Sequence, residues 1–181
     1  MKLCVLFPGI GYHCQKPLLK LSGQLASDNG YEVLPLVYSD FPEGAKGNEE
    51  KMREAVIHAI NQTEQQLSQV GFSQYERIIF IGKSIGTAAC LAYRKKHGVK
   101  SKCFLLTPLE MTFENPANDC MAFHGTSDQW AETESIERLC EEYNVPLYEY
   151  PGANHSLMTS NARQDEIIAK DVIAKIGETI P

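Results

Sequence analysis

Ile78-Ile79-Phe80-Ile81-Gly82-Lys83-Ser84-Ile85-Gly86 runs directly into Thr87-Ala88-Ala89-Cys90-Leu91-Ala92-Tyr93. The unbroken apolar start reads as a strand buried on both faces. The small-residue run that follows reads as the start of a packed helix. Between them stands Gly-x-Ser-x-Gly, and strand, Gly-flanked serine and helix together form the setting of a nucleophile elbow. Such a turn must hold Ser84 in a sparsely populated backbone conformation, so that its hydroxyl stands clear of the strand end. The flanking glycines let neighbouring backbone come close. By chance, the bare five-residue pattern turns up in roughly one chain in twenty of this length. The setting, not the pattern, therefore carries the argument.

Working outward, strand and helix alternate along nearly the whole chain. Lys2–Phe7 reads as a first strand, followed by a loop with Pro8-Gly9-Ile10-Gly11-Tyr12. Pro17 to Asn29 reads as a helix with Leu18, Leu21 and Leu25 on its apolar stripe and Gly30 as its stop. Tyr31–Val37 is a second strand, and a polar loop follows. Asn48 then caps a long helix with Met52, Val56, Ile60, Leu67 and Val70 in line. After the elbow come a helix closed by Gly98, strands at Cys103–Leu106 and Cys120–Phe123, a helix marked by Ile136, Leu139, Cys140 and Tyr143, a last strand at Pro146–Tyr150 and a last helix from Asp165 to Ile176. The pattern predicts an α/β fold: a three-layer α/β/α sandwich on a mostly parallel sheet of about six strands, joined by right-handed crossovers. Residues 1–181 form a single domain. In such sheets a ligand sits beyond the carboxyl ends of the strands, where the winding reverses.

Composition removes several function classes. The net charge of −6 leaves no basic stripe for nucleic acid, and the one basic run, Arg94-Lys95-Lys96-His97, reads as a solvated helix end favourable to the macrodipole. Of the six cysteines, Cys4, Cys90, Cys103, Cys120 and Cys140 fall inside apolar strand or helix patterns, and no C-x-x-C or zinc spacing is present. The N-terminal apolar run is too short for a signal peptide and no run reaches transmembrane length. A cytoplasmic protein with no membrane partner is expected.

A serine hydroxyl needs a base within hydrogen-bond reach to act as a nucleophile. His155, in Pro151-Gly152-Ala153-Asn154-His155-Ser156, follows the last strand and is the candidate. His58 and His97 sit on helices, His13 follows the first loop, and His124 fits a role in fixing the turn before Gly125. The base needs an acceptor that sets its tautomer. Asp128, in His124-Gly125-Thr126-Ser127-Asp128, follows the penultimate strand; the alternative is a loop Asp that caps the next helix, a role Glu132 could fill as well. Two backbone N–H groups must face the developing oxyanion. Ile85, directly after the serine, supplies one, and Ile10 or Gly11 in the first glycine-rich loop the other. As a phosphate loop that stretch fails, since position 14 is Cys14 and no Walker lysine follows.

With these residues in place the chain resembles the α/β-hydrolase superfamily over essentially its whole length. The order Ser84, Asp128, His155 is the order of that family, and Gly82-Lys83-Ser84-Ile85-Gly86, His124-Gly125-x-x-Asp128 and Asn154-His155-Ser156 look like its corresponding segments. The chain is most similar to small lidless members related to dienelactone hydrolases and compact carboxylesterases. It departs from them in an oxyanion loop that is not His-Gly rich and in starting at the third of the usual strands. Thr107–Asp119 leaves no room for a helical cap, and a serine in place of cysteine argues against dienelactone hydrolysis itself.

The resemblance implies a serine hydrolase of a small carboxylic ester or thioester, with Ser84, His155 and Asp128 catalytic, Ile85 with Ile10 or Gly11 as oxyanion donors, and no metal or organic cofactor. A peptidase or amidase with the same three residues, or a small-molecule-binding module without turnover, are the alternatives. Loops at the strand ends supply Tyr12, Phe41, Met111 and Trp130 as candidate substrate-binding residues around an open, shallow site. Leu109, Met111 and Phe113 alternate with polar residues, a pattern that would give their loop one apolar face toward the cleft.

Overall fold

The computed structural model describes residues 1–180. Six strands form one sheet: β1 (Lys2–Phe7), β2 (Tyr31–Pro35), β3 (Arg77–Lys83), β4 (Lys102–Leu106), β5 (Cys120–Gly125) and β6 (Leu147–Tyr150). Their order is β2-β1-β3-β4-β5-β6, and every pairing is parallel. Five helices connect them: α1 (Pro17–Asp28), α2 (Glu49–Leu67), α3 (Ile85–His97), α4 (Thr133–Glu142) and α5 (Ala162–Thr179). Helices α1 and α5 bury Leu18, Leu19, Ile168 and Val172 against one face of the sheet. On the other, α2, α3 and α4 bury Val56, Ala59, Ala89, Leu91 and Ile136. Both faces are covered, as the apolar strands require.

The chain leaves β1 toward β2 on one side and returns to β3 on the other. The winding therefore reverses between β1 and β3, whose pairing ends at Phe7 opposite Gly82. That register sets the loop after β1 beside the elbow after β3. Two glycines of the elbow make the close approach possible. A Cβ on Gly82 would lie 2.8 Å from the Gly86 carbonyl oxygen, and one on Gly86 would run into the carbonyls of Phe7 and Pro8. At the other end of the site, a Cβ on Gly125 would collide with Ala153, so this glycine lets the loops after β5 and β6 touch. Gly86→Ala is therefore expected to cost about 3 kcal/mol or more in urea unfolding, since only backbone could yield. Gly71→Ala, whose Cβ would meet nothing closer than 3.5 Å, is the control and should change stability little.

Element boundaries depart from the sequence reading where local chemistry outweighs pattern. β2 stops at Pro35, which lacks an N–H for the ladder, and Val37 is exposed. Leu21 does not join the buried stripe of α1. It is 44% exposed, because the helix is rolled so that Leu19, Ser22, Gly23 and Ala26 face the sheet. A Cβ on Gly23 would stand 3.0 Å from Leu6 Cδ1, so a small residue sets this approach. The basic run at the end of α3 is only partly a solvated face. Lys96 and His97 pair with Glu64 at 3.2 and 2.9 Å. Arg94, however, is buried and donates to the carbonyls of Pro116 (2.5 Å) and Asn118 (2.8 Å), tying down the turn before β5. All six cysteines are free and buried. Among the described residues no helix is long and apolar enough to cross a membrane.

Candidate active site

Ser84 occupies the turn between β3 and α3 with φ 56° and ψ −124°. A non-glycine residue there bears about 1–3 kcal/mol of backbone strain, which persists only if its surroundings hold it. Here they do. Ser84 N–H donates to the Leu106 carbonyl at 3.0 Å, and its own carbonyl accepts from Thr87 N–H at 2.8 Å and Thr87 Oγ1 at 2.6 Å. Thr87 Oγ1 is also 2.6 Å from Thr112 Oγ1, so the elbow is braced from the connection after β4.

The loops after β3, β5 and β6 bring three distant side chains into one line. His155 Nε2 lies 2.7 Å from Ser84 Oγ, and His155 Nδ1 lies 2.7 Å from Asp128 Oδ2. Asp128 Oδ1 accepts from Trp130 N–H at 2.7 Å, which fixes the carboxylate plane. The indole of Trp130 stacks on the imidazole, with ring centres 5.0 Å apart and planes 10° from parallel. His124, fully buried, adds a second ring beside the same carboxylate: its Nε2 is 2.9 Å from Thr133 Oγ1 and its Nδ1 4.0 Å from Asp128 Oδ2.

The electrostatics favour a neutral imidazole against a charged carboxylate. Burial, and then the charge of Lys83, bring His155 down to about 4 against the opposing pull of Asp128. Burial pushes Asp128 up, but the hydrogen bond and charge of His155, the Trp130 N–H and His124 outweigh it, and the carboxyl titrates below its ordinary value. Burial also lowers His124.

The loop after β1 closes on itself as a four-residue turn. Gly9 N–H donates to the Tyr12 carbonyl at 3.0 Å, Tyr12 N–H returns to Gly9 at 3.2 Å, and Gly11 has φ 64°. The turn lies against the elbow, since a Cβ on Gly9 would be 3.1 Å from Ser84 Cβ. Among the described residues the N–H groups of Ile10, Gly11 and Ile85 find no protein acceptor. Ile85 is also the first residue of α3, where the helix dipole is positive.

Of the four candidate substrate contacts, two face a common cleft. Met111 and Trp130 line a groove of about 650 Å³ with Met52, Phe113 and Leu139. Tyr12 and Phe41 lie outside it. The Tyr12 hydroxyl accepts from Leu18 N–H at 3.2 Å and so caps α1, while Phe41 packs edge-on against Tyr38. The loop after β4 presents a mixed face to the groove, with Glu110 and Glu114 beside Met111 and Phe113, and not a purely apolar one. Residues Glu110–Glu114 form a 3-10 turn rather than an extended segment, so the two-residue alternation does not apply. Leu109 and Thr112 are buried in the core, while Phe113, itself 3% exposed, lines the groove with Met111. A larger crevice of about 780 Å³ lies at the opposite end of the strands, around Arg94, Ser101 and Asp119, away from these residues. Ser84 itself is only 3% exposed.

Lys83 belongs to this site and escaped the motif reading, which treated it as a variable position between Gly82 and Ser84. A signal for it exists. It continues the alternation of Ile79 and Ile81, which places it on the sheet face covered by α1 and α5, and it is 1% exposed.

No protein-family model matches the sequence. No curated protein matches it either. Solved structures do resemble it. A serine hydrolase without a lid from Xanthomonas campestris superposes with a TM-score of 0.58 at 11% identity, over 99% of this chain and 83% of that one. A Pyrococcus furiosus esterase gives 0.67 at 13% identity, over 98% and 80%. Est1E from Butyrivibrio proteoclasticus gives 0.65 at 14%, over 98% and 87%. At such identities the likeness speaks for architecture, and this chain has the fold of the compact α/β hydrolases.

Proposed function

We propose that the protein is a serine hydrolase that cleaves a small carboxylic ester or thioester through an acyl-enzyme. The observation that carries this reading is the hydrogen-bonded line from Ser84 through His155 to Asp128, at 2.7 Å in each step. Ser84 Oγ attacks the acyl carbon as His155 Nε2 takes its proton. Asp128 holds Nδ1–H and stabilises the imidazolium without itself becoming protonated. The oxyanion is received by the N–H groups of Ile85 and of Ile10 or Gly11. His155 then returns the proton to the leaving alcohol or thiol, and a water activated by the same ring releases the acid. The groove that adjoins the site at Trp130, the residue stacked on His155, is the space assigned to the substrate; Met52, Met111, Phe113 and Leu139 line it together with the charged Arg53, Glu110, Glu114 and Arg138.

A fluorophosphonate probe tests the reading directly. Stoichiometric labelling, mapped to Ser84 by peptide mass spectrometry and blocked by prior acylation with a short-chain ester, is the expected result. A folded protein that stays unlabelled at Ser84 would instead be a binding module with an idle hydroxyl.

A further inference from the structure

Trp130 is the chain's only tryptophan, and it touches two members of the catalytic line at once. Its indole lies on the His155 imidazole with ring centres 5.0 Å apart and planes 10° from parallel. Ring faces in contact sit about 3.5 Å apart, so the longer centre distance describes an offset stack, an arrangement aromatic pairs favour. Its backbone N–H donates to Asp128 Oδ1 at 2.7 Å, while Asp128 Oδ2 holds His155 Nδ1 at 2.7 Å. The side chain of one residue therefore covers the base, and its main chain orients the acid. The turn is also tied down from outside: Gln129, between Asp128 and Trp130, accepts from Lys46 Nζ at 3.0 Å. Both ring nitrogens of His155 are committed, to Asp128 and to Ser84 Oγ. A further partner can act only through the carbon edge or a face of the ring, and the indole covers a face.

We propose that Trp130 is a positioning residue for the proton transfer: its indole holds the His155 ring in the line between Asp128 and Ser84, and its π face stabilises the positive charge which that ring takes up during attack. This rests on the serine hydrolase reading. The face of an indole carries the negative side of the ring quadrupole and attracts a cation within about 6 Å of its centre; the imidazole centre stands at 5.0 Å. Before attack the ring is neutral, and the stack contributes contact and orientation. Once Nε2 has taken the Ser84 proton the ring is an imidazolium in a place where burial penalises charge, and the attraction appears. An interaction made in the transition state and nearly absent before it raises the rate of the bound complex and leaves binding alone. The indole neither gives nor takes a proton, which passes from Ser84 Oγ to His155 Nε2 and on to the leaving group. The same face favours the protonated ring in the free protein, so weakening it must lower the pH at which His155 titrates. Asp128, Lys83 and His124 are the titratable groups that act on His155, and all three stay as they are when only the indole is changed.

Replacing the whole side chain would also remove a wall of the groove, so the test changes the electrons of the ring and keeps its shape. With a single tryptophan in the chain, growth on mono-, di- and trifluorinated indole alters Trp130 alone, and each fluorine withdraws density from the face. The single-turnover acylation rate at saturating short-chain ester should fall stepwise, roughly fivefold over the series, with the half-saturating ester concentration and the melting temperature unchanged. The His155 ring, followed by NMR, should titrate at lower pH with each fluorine. A flat acylation rate or a flat titration overturns the proposal, because a ring that merely packs is indifferent to its electron density. A half-saturating concentration that rises while the rate holds overturns it too, and makes Trp130 a wall for the substrate only. The serine reading fails separately, if the unsubstituted protein neither takes up a fluorophosphonate at Ser84 nor hydrolyses the ester. The titration needs no substrate and still decides whether the indole acts on the ring.

Discussion

Ser84→Ala is expected to abolish ester turnover, by about a millionfold if the chemical step limits the rate. The magnitude follows from geometry. His155 Nε2 has one partner in the site, Ser84 Oγ at 2.7 Å, and without it the base activates nothing bound to the protein. Stability should change little. The alanine takes the same strained turn, whose bracing comes from Leu106, Thr87 and Thr112 rather than from the hydroxyl. The loss is one side-chain hydrogen bond, about 1 kcal/mol. Purified variant assayed with a short-chain ester, beside a thermal melt, checks both halves. Appreciable activity from a folded, uncontaminated preparation would remove Ser84 as nucleophile.

Asp128→Asn should lower turnover by roughly four powers of ten while leaving the site assembled. Trp130 N–H needs an acceptor at the Oδ1 position, so the new amide must put its oxygen there and its nitrogen where Oδ2 was. That nitrogen donates, and it faces His155 Nδ1 at the former 2.7 Å contact. The ring is driven to the tautomer with its proton on Nε2, and the lone pair that should receive the Ser84 proton is gone. Raising the pH cannot restore it. Asp119→Asn is the matched control. Asp119 lies at the other end of the sheet, in the crevice with Arg94 and Ser101, and its substitution should leave the rate unchanged. The opposite ranking of the two variants would relocate the acid.

Legibility in this chain followed the range of the interaction involved. The element order was plain in the sequence, because burial on both faces leaves strands as unbroken apolar runs and helices as stripes. Asn48 accepting from Lys51 N–H and Gly98 in a left-handed conformation at the end of α3 are local chemistry, and local chemistry can be read in order. So could the positions of Ser84, Asp128 and His155, since each directly follows a strand and a parallel sheet gathers such loops at one end. Periodicity failed where tertiary contacts chose among several possible faces. Leu21 fits a stripe as well as Leu19 does, but the tight seat of Gly23 on Leu6 rolled α1 the other way. Leu109, Met111 and Phe113 alternate on paper, and a 3-10 turn around Thr112 buried Leu109 and Phe113 while leaving Met111 partly exposed and bringing Glu110 and Glu114 to the groove as well.

What the sequence by itself determined was therefore the winding of the sheet and the residues delivered to the carboxyl ends of its strands. Only the tertiary structure decided their electrical state. That Arg94 is buried on carbonyls and not solvated, that Trp130 stacks on His155, and that the buried Lys83 ammonium lies over the Tyr12 ring all depend on distances between segments far apart in the chain. Charge–charge energies vary with separation and with the loss of surrounding water, and neither quantity exists until the sheet has closed the loops around the serine.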